Sequence, residues 1–171
     1  KNENVGKWKF HKEINEYRLK FNSTIFSDGI LRLKKNGSRH LVIFLHGYYA
    51  NSKCVLDDES HPQFIDQYCK QNNFDLATWT LPLQGERSED SIYLNLRSTV
   101  SVEREYSRFL HLYNTSIWNE YLNEICYCIE ELKKFYKSDL NLHIVGWSMG
   151  AAFIPYISII YPKIRSAIMA G

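Results

Sequence analysis

Apolar and polar positions change period several times along this chain, and each change marks an element. Tyr17, Leu19, Phe21 and Ser23 alternate with Arg18, Lys20 and Asn22, the period-two pattern of a strand with two unlike faces. Ser27-Asp28-Gly29 is a hairpin turn signal, and residues 30–33 return as a second strand. The turn residues Lys34-Lys35-Asn36-Gly37-Ser38 then lead to His40-Leu41-Val42-Ile43-Phe44-Leu45. That run is continuous rather than alternating, which predicts a strand buried on both faces, as in a parallel sheet. Two antiparallel strands therefore lead into a parallel sheet.

Helical spacing appears next. Pro62 suits a first helical turn, and Phe64, Ile65, Tyr68 and Cys69 make an apolar stripe behind it. Residues 74–81 read as another strand. Residues 89–115 are polar with scattered aromatics (Tyr93, Tyr106, Phe109, Tyr113) and carry no period, so a loop, an excursion over a site and plain surface all stay open. Ser116 caps a long helix with the stripe Ile117, Tyr121, Ile125, Ile129, Leu132 and Tyr136. Glu124, Glu130, Glu131, Lys133 and Lys134 fall mostly outside that stripe. Residues 142–145 predict a short buried strand, and residues 151–161 an apolar helix. Pro155 either kinks that helix at the cost of a hydrogen bond or marks a late start. Pro162 ends it, and residues 164–171 read as one more strand.

Composition narrows the partners. The chain's 171 residues suffice for a single domain, taken as 1–171, with a real core. Its 21 basic and 19 acidic residues give a net charge of +2, and no basic cluster is dense enough to indicate nucleic acid. No apolar run approaches the roughly 20 residues of a membrane span. The polar first twelve residues lack a signal-peptide core, although a start at Lys1 leaves a preceding segment open. Cys54, Cys69, Cys126 and Cys128 lack metal-ligand spacing. Neither a metal nor a cofactor is expected, and reduced thiols lean toward a cytoplasmic setting.

The chemistry centres on Gly146-Trp147-Ser148-Met149-Gly150, between a predicted strand and a predicted helix. A serine nucleophile needs a tight, strained turn that exposes its Oγ, and glycines two residues either side let the strand and helix backbones approach. A second motif lies upstream, where the strand over residues 40–45 ends in His46-Gly47-Tyr48-Tyr49. With both motifs the chain resembles the α/β-hydrolase superfamily. The turn Pro82-Leu83-Gln84-Gly85-Glu86-Arg87 is most similar to esterases of the dienelactone-hydrolase and prolyl-oligopeptidase-like branches.

The resemblance implies a mostly parallel twisted sheet flanked by helices and a serine hydrolase that cleaves a carboxylic ester through an acyl-enzyme. Ser148 would be the nucleophile, the backbone N–H groups of Tyr48 and Met149 the oxyanion donors, and Gly146 and Gly150 the glycines of the nucleophile elbow. The partner would be a small-molecule ester or acyl substrate, and oligomeric state stays open. His46, Gly47, Tyr49 and Arg87 are candidate pocket residues. Arg87 and Glu86 follow the C-terminal end of a predicted parallel strand, where ligands bind in such sheets; a surface ion pair is the alternative.

The family's order is nucleophile, acid, histidine, yet no His, Asp or Glu follows Ser148. The triad therefore cannot be completed in the usual way. The expectation is that the C-terminal strands of the fold are missing from this chain, on the order of 80–120 residues. Among the histidines, His46 reads as a loop anchor, His143 as a sheet residue and His61, near Asp57 and Asp58, as solvated loop. His111 lies in the periodless segment, and His11 and His40 flank strands. None is assigned as a base. An inactive fold used for binding or association, and an acyltransferase using the same serine, remain alternatives.

Overall fold

Among the described residues seven strands form one sheet. The computed structural model describes residues 6–23, 26–47, 50–52, 63–85, 87, 104, 107, 108, 110–112, 114–137 and 139–171. Strands β1 (Trp8–His11), β2 (Glu16–Phe21) and β3 (Gly29–Lys34) form an antiparallel meander. A short 3-10 turn with Asn15 at φ 49° joins the first two. Then come β4 (His40–Leu45), helix α1 (Gln63–Gln71), β5 (Asp75–Thr78), helix α2 (Ile117–Tyr136) and β6 (Asn141–Trp147). The short α3 (Met149–Ala152), α4 (Ile154–Ile160) and β7 (Ser166–Ala170) follow.

The strand order is β1-β2-β3-β5-β4-β6-β7. β5, β4, β6 and β7 run parallel, and β3 pairs antiparallel with β5. Four of the seven strands thus form the parallel part, as the continuous apolar runs predict. From β4 the chain passes through α1 to β5 on one side, and from β5 through α2 to β6 on the other. The direction of strand addition therefore reverses between β4 and β6. Such a switch point leaves a crevice beyond the carboxyl ends of the strands, because the two connections leave in opposite directions.

Each parallel strand divides its side chains between two faces. Leu41, Ile43, Leu45, Leu142 and Ile144 pack with Ile117, Tyr121, Ile125, Cys128, Ile129 and Leu132 of α2 and with Ile154 and Ile157 of α4. Val42, Phe44 and Leu76 pack with Ile65 and Cys69 of α1. Burial of about 25 cal/mol per Å² of apolar surface on both faces makes these runs the main source of stability. Among the described residues β7 is the last strand of the sheet, with Ile168 and Met169 exposed.

Several expectations need correction. The stripe on α1 is narrower than its spacing suggests: Ile65 and Cys69 are buried, but Phe64 and Tyr68 are exposed. β5 spans four residues rather than the longer strand expected over 74–81. The apolar helix after Ser148 is two helices meeting at Phe153, with Pro155 in the first turn of α4. There its missing N–H costs no bond, and the outcome is neither a single kinked helix nor a simple late start but a short helix followed by a second one. Ser116 does cap α2, its side chain accepting from Asn119 N–H.

Glu124 departs furthest from the pattern. It is buried on α2 and takes a bidentate pair from Arg87, Nη1 to Oε1 at 2.6 Å and Nη2 to Oε2 at 2.9 Å. Arg87 also donates to Thr80 O at 2.8 Å and to Ser27 O at 2.6 Å. Arg87 is therefore neither a pocket-mouth residue nor half of a surface ion pair, being only 3 % exposed. It ties the turn after β5 to α2 and to the hairpin before β3. Burial raises the Glu124 carboxyl above its ordinary value, against the pull of the Arg87 guanidinium.

Removing one partner strands the other charge in the interior. Glu124→Gln or Arg87→Met alone should lower the unfolding free energy by about 3–5 kcal/mol. Arg87→Met with Glu124→Leu should recover most of that loss. Urea unfolding midpoints of the three variants check this; a double variant as unstable as either single one would refute it.

Candidate active site

β6 ends at Trp147 and α3 begins at Met149, leaving Ser148 alone to make the turn. It does so at φ 50° and ψ −115°. A non-glycine residue in that region costs on the order of 1–3 kcal/mol and persists only where its surroundings impose it. Several contacts impose it here. Ser148 N–H donates to Ala170 O on β7 at 2.6 Å, and Ala151 N–H donates to Ser148 O at 2.9 Å.

Glycines make the close packing feasible. A Cβ on Gly146 would lie 2.6 Å from Gly150 O and 2.7 Å from Ala151 N, so the start of α3 folds back directly over the end of β6. A Cβ on Gly150 would collide with Leu45 O and lie 2.8 Å from His46 O. Gly47 is tight as well, its position for a Cβ lying 3.0 Å from Ser148 Cβ. The loop after β4 thus passes directly beside Ser148. Ser148 itself is exposed, with Trp147 half-exposed beside it. Met149 turns its side chain into the core, and its N–H, at the first position of α3, has no carbonyl one turn back to pair with.

His46 is not an open pocket residue. It is buried, its Nε2 accepting from Leu81 N–H at 2.9 Å and its Nδ1 lying 2.7 Å from Gly47 O. Since Nε2 takes a proton from the backbone, the ring's own proton is on Nδ1 and donates to Gly47 O. A neutral imidazole with both nitrogens engaged braces the loop; it does not abstract protons. His143 stands in the sheet, bonded to His40 and Ser166. His11 and His111 are exposed. Among the described residues no histidine pairs with the Ser148 hydroxyl. Tyr48, Tyr49, His61 and Glu86 lie outside the described residues.

Other chemistries find little support in the same region. The thiols of Cys69, Cys126 and Cys128 are free, and burial pushes all three up, Cys69 to about 12. They stay protonated and weakly nucleophilic. Among the described residues no group of three or more His, Cys, Asp or Glu side chains is placed to hold a metal ion. No helix among them is long and apolar enough to cross a membrane. A cavity of about 550 Å³, lined in part by Asp139, Asn141, Lys163 and Arg165, opens at the opposite edge of the sheet, before β6 and β7.

No family model and no curated sequence matches the chain. Solved structures do. A thermostable carboxyl esterase from Bacillus coagulans superposes with a TM-score of 0.65 at 14% identity, over 90% of this chain and 43% of its own. An esterase of Pyrococcus furiosus gives 0.62 at 16% identity, over 95% and 54%. A thioesterase domain from the curacin biosynthetic pathway gives 0.58 at 19% identity, over 89% and 44%. The chain has the α/β-hydrolase fold. It spans about half the length of these α/β-hydrolase structures. Sequence reasoning missed two supports of the turn in this fold: the Ala170 carbonyl, which no local motif marks, and the Leu81 N–H that fixes the His46 tautomer.

The glycine geometry gives a graded test. Gly150→Ala must displace the backbone at the end of β4 and should cost on the order of 3 kcal/mol, whereas Gly47→Ala, with a looser contact, should cost about 1 kcal/mol. Chemical unfolding of both variants measures the difference, and equal losses would contradict the packing described.

Proposed function

We propose that this protein is a serine hydrolase that cleaves a carboxylic ester, with Ser148 as its nucleophile. One observation carries the reading: an exposed serine held at positive φ in a strand-to-helix turn, at the switch point of the sheet. Backbone strain at an exposed nucleophilic side chain, fixed by packing on every side, suits a group that must meet a substrate in one geometry. The esterase and thioesterase neighbours agree with this class of chemistry.

In the proposed reaction Ser148 Oγ attacks the ester carbonyl as its proton passes to a base. The oxyanion is held by the N–H of Met149, at the unpaired start of α3, and by the N–H of Tyr48 in the loop beside Gly47. Each such donor is worth about 2.7–4 kcal/mol in the barrier. The alcohol leaves, and water then releases the acid from the acyl-enzyme. In an acyltransferase a second acceptor would replace that water. The base is not among the described residues, since His46 is committed to Leu81 and Gly47 and His143 to His40 and Ser166. That same observation favours the second reading, an inactive fold used to bind a ligand or a protein.

A fluorophosphonate probe separates the two. The natural protein should be labelled once, at Ser148, as read by intact mass and peptide mapping. Ser148→Ala should abolish labelling and lower hydrolysis of an activated ester to background, a drop on the order of 10⁴-fold or more. A folded natural protein that takes no label would leave only the binding reading.

A further inference from the structure

Much of what surrounds Ser148 is bare backbone. A Cβ on Gly47 would lie 3.0 Å from Ser148 Cβ, and one on Gly171 would lie 3.1 Å from Ser148 Cα. On the face of the sheet that packs on α2, the start of α3 closes over Gly146 and occupies the end of β6. Side-chain bulk beside the serine comes from Trp147.

Alternation along β6 turns Trp147 to the other face of the sheet. Leu142 and Ile144 pack toward α2, whereas Val145 packs against the cluster that holds Ile65 and Cys69 of α1. Trp147 is two residues on from Val145 and shares its face. Its Cδ1 lies 3.3 Å from the point that a Gly47 Cβ would occupy, the same point that is 3.0 Å from Ser148 Cβ. The edge of the indole and the serine therefore meet the loop after β4 side by side. On β7 the residue opposite Trp147 is Ala170. With Gly47 and Ala170 as neighbours, a ring of this size is left uncovered, and Trp147 stays 40 % exposed. Val145 stands opposite Ile168, itself exposed, so apolar surface continues from the indole down the same face.

Small-molecule sites offer aromatic and apolar walls with few polar groups, and in parallel sheets they lie beyond the carboxyl ends of the strands. An ester carbonyl set over Ser148 Oγ is shut in by α3 on one face of the sheet and crosses the indole on the other. We propose that Trp147 is a specificity-determining residue of this site, its indole stacking on a flat apolar group, an aryl ring, carried by the ester. The inference rests on the reading of Ser148 as the nucleophile and adds a substrate class to it. Trp147 makes and breaks no bond; it binds. Contact between two rings, with the apolar area it covers, favours a ring-bearing ester about tenfold over one without a ring. A ring on the acyl side and one on the alcohol side offer the indole the same chemistry.

Hydrolysis of ethyl acetate, ethyl phenylacetate and benzyl acetate by the natural protein tests this, each rate divided by that of the ester's own hydroxide-catalysed hydrolysis. One of the two ring-bearing esters should show a kcat/KM about tenfold above that of ethyl acetate, chiefly through a lower KM. Which of the two it is assigns the ring to the acyl or the alcohol side. In Trp147→Ala and Trp147→Leu that ratio should fall to within about twofold of unity, whatever becomes of the absolute rates. A natural protein without ring preference, or a preference that survives both substitutions, would overturn the proposal while a fluorophosphonate label on Ser148 still upholds the nucleophile. Absence of that label would overturn the nucleophile and this inference with it. Should neither variant fold, the natural protein decides. Its Trp147 indole N–H signal in ¹⁵N NMR should move on addition of phenylacetate or benzyl alcohol, whichever product carries the preferred ring, and a signal that stays in place refutes the contact.

Discussion

The close approach of Gly150 to the last carbonyl of β4 is the constraint on which the rim of this sheet depends. β4 and β6 are in register to their ends, with Leu45 opposite Gly146. Any helix leaving β6 must therefore start against the Leu45 carbonyl or swing away from it. Without a Cβ at 150 it starts there, and the chain has one residue in which to reverse. Ser148 takes the positive φ because no other position is left to take it. The strain at the serine is thus a consequence of how tightly a helix is set on the strand beside it.

This arrangement makes the serine rigid without making it buried. Gly47 brings the loop after β4 alongside, His46 pins that loop by both ring nitrogens, and Ala170 holds the Ser148 N–H from the other side. Three parallel strands therefore converge on one residue, β7 through a backbone carbonyl and β4 through a loop that the His46 ring holds in place. A site built in this way can accept very different neighbours on its open side while its centre stays unchanged.

What the sequence makes legible follows from range. β4, the end of β6 and the turn at Ser148 can be read because their causes are local: a continuous apolar run, and glycines two residues from a serine. Pro155 is half legible, since a proline announces a break but does not say which side of it the helix occupies. Glu124 is illegible, because on its own helix it looks like an outward carboxylate. Only Arg87, 37 residues away, gives it a reason to be buried. Phe64 and Tyr68 err the other way, being apolar by composition and exposed because α1 presents a narrower face to the sheet. The role of Ala170 depends on β7 reaching the turn, which the spacing of one strand cannot convey.

The strand order also has a consequence for synthesis. β4 is the most apolar strand and lies between β5 and β6, yet β6 follows it only after residues 79–140. At about 5–20 residues per second, a ribosome leaves one edge of β4 unpaired for several seconds after β5 has been made. During that interval the meander, β4 and β5 can assemble, with an open row of N–H and C=O groups beside Val42 and Phe44. A nascent chain in this state presents a template for other extended segments. It is the period in which a chaperone that shields sheet edges would matter most to the yield of folded protein.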